Sequence, residues 1–172
     1  MAAPPLGEIT DVKGGGHRGP PLHDIRMPTQ ETLLMEYDGI QGARLYELPV
    51  IQDSRGSLSF AQYEDTLPFL PKRYFIVFGV REGQTRGGHA HRTVHQLLTC
   101  VKGSCVVTFD DGQTHHDVAL DRPELALYLP PGIWATQHDF SPEAVLMVLA
   151  SDVYNPGEYI KDYDEFLSLR KS

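Results

Sequence analysis

Residues 83–103 read Gly-Gln-Thr-Arg-Gly-Gly-His-Ala-His-Arg-Thr-Val-His-Gln-Leu-Leu-Thr-Cys-Val-Lys-Gly, and this stretch decides the fold. Residues two apart in an extended strand point to the same side, so the imidazoles of His89 and His91 are expected to share one face. The glycines before them let the backbone bend close to a ligand, and Arg86 adds a fixed positive charge. The pair therefore indicates either a site on a strand or, as the alternative, histidines exposed on an edge strand.

The sequence around this stretch is typical of an all-β protein. Short runs of β-branched, aromatic or alternating residues are separated by turns rich in Gly, Pro and Asp, a spacing that favours a sandwich or barrel. From residue 44 onward, only residues 162–170 are predicted to be helical. We expect a single jelly-roll β-barrel with a short C-terminal helix. The predicted strands are Arg44–Ile51, Ser57–Tyr63, Arg73–Val80, His95–Val101, Cys105–Phe109, His115–Leu120, Ala126–Leu129 and Ala144–Ala150.

The amino-terminal part of the chain has a different composition. Residues 1–40 contain Pro-Pro, Gly-Gly-Gly and Gly-Pro-Pro segments that interrupt any periodicity, so they are predicted to form a flexible extension. Within it, residues 28–37 are predicted to form a short helix or arm, because Thr29 is a suitable N-cap. The barrel domain is expected over residues 41–172.

Length, charge and cysteine content narrow the class of protein. The 172 residues suit one domain, and a net charge of -8 argues against a nucleic-acid or acidic-membrane partner. Cys100 and Cys105 flank a turn, and no signal peptide or membrane-length apolar run is evident, so we expect buried free thiols and a cytoplasmic protein. Exposed barrel edges favour a homodimer.

Two segments resemble the motifs of the cupin barrels. Residues 83–103 fit Gly-x5-His-x-His-x4-Gln-x6-Gly, with Gln96 where metal-binding cupins usually carry glutamate. Residues 130–135, Pro-Pro-Gly-Ile-Trp-Ala, resemble the second motif, with Ala135 in place of its histidine ligand. A metal site needs at least three good ligands, so we expect no metal and no other cofactor.

Several further motifs resemble those of the nucleotide-sugar 3,4-ketoisomerases. The resemblance implies an enzyme that moves the keto group of a dTDP-4-keto-6-deoxyhexose from carbon 4 to carbon 3 through an enediol, in deoxy- or aminosugar biosynthesis. It implies His89 and His91 as the acid/base residues, which agrees with the near-neutral pKa of imidazole. The motifs are residues 53–58 (Asp-Ser-Arg-Gly-Ser-Leu), 86–92, 103–105, 110–112, 139–141, 148–152 and 162–166 (Asp-Tyr-Asp-Glu-Phe).

Five further residues are candidates for substrate binding. Arg73 and Arg86 offer paired donors for a diphosphate or an enolate oxygen, with surface ion pairs as the alternative. Gln96 suits a sugar hydroxyl or merely its neighbours. Trp134 is expected to form a pocket wall or to pack in the core. His138 is equally compatible with the pocket and with the surface.

Ala135 is the main departure from the ketoisomerase pattern. Members of that family generally carry a histidine directly after the tryptophan of the second motif, and this residue also lies in their active site. Its replacement leaves open a relative with altered product stereochemistry or a cupin that binds a nucleotide sugar without catalysis. A sugar-nucleotide 3,5-epimerase is a separate alternative. An epimerase of that type pairs a histidine with a tyrosine, whereas this chain carries the His-Ala-His motif.

Overall fold

The computed structural model describes residues 33–37, 40 and 42–170. Nearly all of its regular structure is antiparallel β-sheet, and a short helix closes the chain. The elements are β1 (Leu33–Glu36), β2 (Arg44–Glu47), β3 (Val50–Asp53), β4 (Gly56–Ser59), β5 (Arg73–Phe78), β6 (Arg86–His91), β7 (Gln96–Lys102), β8 (Cys105–Asp110), β9 (His115–Leu120), β10 (Leu125–Leu129), β11 (Trp134–His138), β12 (Val145–Ala150), β13 (Tyr159–Ile160) and α1 (Tyr163–Arg170).

Two antiparallel sheets build the barrel. The first sheet has the order β1-β2-β10-β7-β12-β5, and the second has the order β13-β6-β11-β8-β9. Strands β3 and β4 form a separate hairpin. The prediction of an all-β barrel with a short C-terminal helix is therefore confirmed.

The core lies between the two sheets because the strands alternate in burial. Every second residue of β8 and of β12 is buried, and the residues between them are more exposed. Alternation of this kind places one face of each sheet in the core. The main buried cluster draws side chains from both sheets, among them Leu98, Val107, Phe109, Leu127 and Leu146.

The short helix expected as one alternative within residues 28–37 is not observed where the structure describes this segment. Residues 33–36, expected in a short helix or arm, form β1 and pair with β2. Local helix propensity is a weak preference, and pairing with a sheet edge overrides it. The rest of the predicted flexible extension, residues 1–32 and 38–39, lies outside the described residues.

Other boundaries differ from the predicted strands for simple reasons. The run 44–51 is divided into β2 and β3 around Pro49, which has no N–H to donate to a ladder. Strands β11 and β13 were not predicted.

Both cysteines are free and buried, as expected. Among the described residues, no helix is long and apolar enough to cross a membrane.

Candidate active site

The two histidines of the His-Ala-His motif lie side by side on β6. Their ring centroids are 5.0 Å apart and the rings meet edge to face. Ala90, between them, points the other way and is packed with Ile160 and Phe166. The strand alternation expected from the sequence is therefore observed, and both imidazoles face the interior of the barrel mouth.

Strand β13 extends the same inner face beyond β6. Tyr159 pairs with His91 across the ladder, so the two side chains share a face. The Tyr159 ring lies 4.5 Å from the His91 ring and 4.9 Å from the His89 ring. The ammonium of Lys161 lies 5.7 Å from the centroid of the Tyr159 ring. An aromatic side chain thus packs against both imidazoles, and a cation lies beside it.

A cavity of about 360 Å³ opens next to His89. It lies between the edge strand β5 of the first sheet and the start of β6 in the second sheet. Both apolar and polar side chains form its wall, and the polar groups can orient a ligand. The lining residues are Phe75, Ile76, Val77, Thr85, Arg86, Gly87, His89, Gln96, Leu98, Gln137 and Val148.

Both imidazoles are held in the neutral form at neutral pH. Burial is the main cause that lowers the pKa of His91 to about 4, and the neighbouring His89 and Arg73 lower it further. Burial also lowers the pKa of His89, and Lys161 adds to this effect against an opposing hydrogen bond to Gly87. Neutral imidazoles are ready to accept protons, which suits them to general base catalysis.

Gln96 lies directly against the histidine pair. It is buried, and its amide N–H donates to Nε2 of His91 over 3.1 Å. The expected proton on Nδ1 of His91 has no partner among the described residues. An amide is a weak metal ligand, and the described residues contain no group of three or more His, Cys, Asp or Glu side chains that could hold a metal ion. This donor set does not fit the metal centre of a cupin.

The two predicted arginines approach the site from different strands. Arg73 lies on β5. Both Arg73 and Gln96 pair with the small Ala150 of β12, so the three residues lie in one row across the first sheet. The Arg73 guanidinium lies 5.3 Å from the Phe75 ring and 5.7 Å from the Tyr154 ring. Arg86 begins β6 and lines the cavity. Positive charge therefore flanks the histidines on two sides.

Trp134 and His138 lie on the opposite face of β11 from the cavity. Trp134 pairs with Ala90 and packs under α1, 5.0 Å from the Tyr163 ring and 5.6 Å from the Phe166 ring. His138 bonds to Thr108 at 2.8 Å and to the adjacent Asp139 at 3.0 Å. Of the alternatives left open by the sequence, the structure supports core packing for Trp134 and the surface for His138.

Three cavity or mouth residues were missed by the sequence analysis, namely Gln137, Tyr159 and Lys161. The first shares the inner face of β11 with Ala135, which is buried in the core. Residues two apart in a strand share a face. If residue 135 faces the site, residue 137 faces it too, and residues 134 and 138 face the other side. Tyr159 and Lys161 follow the motif region 148–152 without any signal of their own.

Comparisons with known proteins agree with this geometry. The chain matches the FdtA family, described as WxcM-like, C-terminal, over residues 41–171. The curated TDP-4-oxo-6-deoxy-alpha-D-glucose-3,4-oxoisomerase of Aneurinibacillus thermoaerophilus is 44% identical over 116 residues, which are 67% of this chain and 84% of the relative.

Two solved structures extend the comparison. A 3,4-ketoisomerase from Helicobacter canadensis is 35% identical, has a TM-score of 0.74, and is matched over 76% of this chain and 98% of its own. A histidine mutant of a 3,4-ketoisomerase from Thermoanaerobacterium thermosaccharolyticum, in complex with TDP-4-keto-6-deoxyglucose, is 30% identical with a TM-score of 0.74. That match covers 76% of this chain and 95% of the other.

Proposed function

Since this chain belongs to the FdtA family of WxcM-like, C-terminal domains, we propose that it is a 3,4-ketoisomerase of a TDP-linked 4-keto-6-deoxyhexose. The observation that carries the proposal is the pair of neutral imidazoles, 5.0 Å apart, beside a cavity of about 360 Å³. Two proton carriers on one face suit the transfer of a proton between adjacent carbons.

The reaction is a balanced internal oxidation and reduction. The His89 and His91 pair removes the proton on carbon 3, and the electrons of that bond form the enediolate. A proton is then delivered to carbon 4, and the hydroxyl proton of the carbon 3 oxygen is transferred to the carbon 4 oxygen as the new ketone forms at carbon 3. Carbon 3 is oxidised and carbon 4 is reduced, so no external oxidant or reductant is consumed. Neutral imidazole accepts the first proton, and the resulting imidazolium supplies one.

Positive charge around the cavity supports the developing enediolate. Arg73 and Arg86 flank the histidines from two strands, and a guanidinium never loses its charge near neutral pH. We assign to them the enediolate oxygen and the diphosphate of the substrate. Gln96 holds His91 in one orientation through its hydrogen bond.

A proton-NMR time course tests the function directly. The protein is mixed with dTDP-4-keto-6-deoxyglucose in D2O, with and without a chelator. We expect the 3-keto product with deuterium on carbon 4. The rates should be equal in both samples, because the site is proposed to work without metal. The double variant His89→Asn/His91→Asn should lose the reaction, while His115→Asn, a change on the exposed part of β9, should keep it. Deuterium at carbon 5 without ketone migration would instead establish a 3,5-epimerase.

We also propose that the protein is a cytoplasmic homodimer that associates through β5. This strand lies at the edge of the first sheet, and its side chains Tyr74 and Phe78, which do not line the cavity, are 71% and 65% exposed. An apolar edge strand of this kind favours pairing with another chain. The two free cysteines suit a reducing compartment.

Sedimentation tests the assembly. The wild-type protein should sediment as a dimer and Phe78→Asp as a monomer. Leu169→Asp, an exposed change on α1 at the other side of the barrel, is the matched control and should stay dimeric. A monomeric wild type at micromolar concentration contradicts the proposal, and recovery of the protein in a membrane or secreted fraction contradicts the location.

A further inference from the structure

Gln137 is a buried amide that faces the cavity without a hydrogen-bond partner for its side chain. It lies on the inner face of β11, lines the cavity with His89, and is only 8% exposed. None of the described residues accepts from or donates to its amide. The amide atoms are not fully enclosed by protein, so they are open to a hydrogen bond with a ligand in the cavity.

The position of this amide is set by the backbone opposite it. Gln137 pairs with Arg86 on β6, and the next residue there is Gly87, with a φ of +75°. A Cβ added to Gly87 would lie 2.8 Å from Nε2 and 2.9 Å from Oε1 of Gln137. The amide therefore packs directly on the Gly87 backbone, in space that exists only because residue 87 is glycine.

No other polar side chain on this part of β11 faces the cavity. Ala135 shares the inner face with Gln137 but has only a methyl group, and Thr136 between them points outward. Any side-chain hydrogen bond from this part of β11 to a ligand in the cavity must therefore come from Gln137.

We propose that Gln137 is a substrate-binding residue. Its amide N–H donates to the keto oxygen of the hexose, which gains negative charge as the enediolate forms. A ketone oxygen can only accept, and the amide is a donor that never loses its proton near neutral pH. Because Gln137 lies in the same cavity as His89, the bond would hold the hexose beside the base. The inference rests on the proposed ketoisomerase activity.

Steady-state kinetics and binding of TDP alone test the role. Gln137→Met keeps the length of the side chain and removes its polar atoms, and Gln137→Glu keeps the shape but removes the donor. We expect kcat/KM to fall about 10-fold or more in Gln137→Met and at least as far in Gln137→Glu, because a bond to a developing charge is lost. The Kd for TDP, which lacks the hexose, should stay within about 2-fold of the wild-type value.

Thr136→Val is the matched control, since it changes the outward neighbour on the same strand and should leave kcat/KM unchanged. The inference is overturned if both Gln137 variants keep wild-type kcat/KM, or if TDP binding weakens as much as kcat/KM falls. It is also overturned if Gln137→Glu is as active as wild type, because then the donor is not needed. A wild-type protein that does not isomerise the substrate would instead refute the proposed function, whatever the Gln137 variants do.

Discussion

At the scale of single residues, burial sets the protonation state of His91, and Gln96 bonds to it. The amide donates to the imidazole without adding charge, and burial holds the pKa of His91 at about 4. Where the metal-binding barrels have a carboxylate, this protein has a neutral hydrogen-bond donor. The imidazole therefore remains a free base, not an imidazolium, at neutral pH.

Changing Gln96 to Glu should shift the pH dependence of the reaction. A carboxylate beside the imidazole stabilises its protonated form, so the pKa of His91 rises. The acid limb of kcat/KM is then expected at higher pH in Gln96→Glu than in wild type, and profiles measured from about pH 4 to 8 will show it. Gln96→Met adds no charge and serves as the control. An unchanged acid limb in Gln96→Glu would mean that His91 does not control the rate.

Stability should also depend on pH through His91. Its folded pKa is about 4, below its ordinary value of 6.5, so the unfolded chain binds more protons in the window between these values. The free energy of unfolding is therefore at its full value above this window and falls as the pH drops through it. Urea unfolding at pH 7 and at pH 5 measures the loss. His91→Asn should show a smaller loss than His115→Asn, and equal losses would contradict the assignment.

At the scale of elements, one short strand and one short helix position the wall of the site. The Glu158 carboxylate accepts from the backbone N–H of Thr93 at 2.9 Å and from its hydroxyl at 2.8 Å, which fixes the entry to β13. On the outer face, Phe166 of α1 is 1% exposed and packs with Ala90 and Ile160. The helix thus supports β6 and β13 from behind, while their other face carries the site.

Truncation of Phe166 tests this support. Phe166→Ala should reduce the free energy of unfolding by ~3–5 kcal/mol, because it leaves a cavity under the sheet. It should also lower kcat, since β13 no longer holds Tyr159 firmly against the imidazoles. Leu169→Ala, at a position 48% exposed, is the control with little expected effect on either quantity. Urea unfolding and steady-state kinetics give the two values. If Phe166→Ala loses stability but keeps its kcat, then α1 does not support the catalytic site.

The sequence predicted those parts of the fold and site that depend on local alternation and failed where long-range pairing decides. His89 and His91 share a face because they are two apart in one strand, and no distant contact is needed to infer it. Tyr159 reaches the same site only because β13 pairs with β6 across a long stretch of chain, which composition does not reveal. For Trp134 and His138 the sequence left two alternatives open, because β11, whose inward residues are Ala135 and Gln137, was not predicted.

At the scale of the whole molecule, the cavity lies at the margin of the core, and Leu98 and Val148 belong to both. The main apolar cluster fills the space between the sheets, and the cavity opens at the edge where β5 faces β6. The proposed dimer surface is the outer face of the same β5 strand. Assembly and the cavity therefore share one strand, whose inward side chains line the cavity and whose outward side chains meet the partner.

A dimer of this kind should melt at a temperature that depends on protein concentration. Association stabilises the folded state by mass action, so Tm should rise when the wild-type protein is concentrated about 100-fold. Phe78→Asp should lose this dependence, and Leu169→Asp should keep it. Differential scanning fluorimetry over a concentration series is sufficient. A constant Tm in all three proteins would argue that β5 meets no partner in this range.

The shortness of β13 has a consequence for how the enzyme exchanges its ligands. Only Tyr159 and Ile160 join this strand to the barrel, at the outer edge of the second sheet. Detaching two residues breaks few backbone hydrogen bonds, so this edge belongs to the part of the molecule that opens most easily without global unfolding. The wall that packs against the imidazoles can therefore loosen, and so release a bound ligand, while the rest of the barrel stays folded.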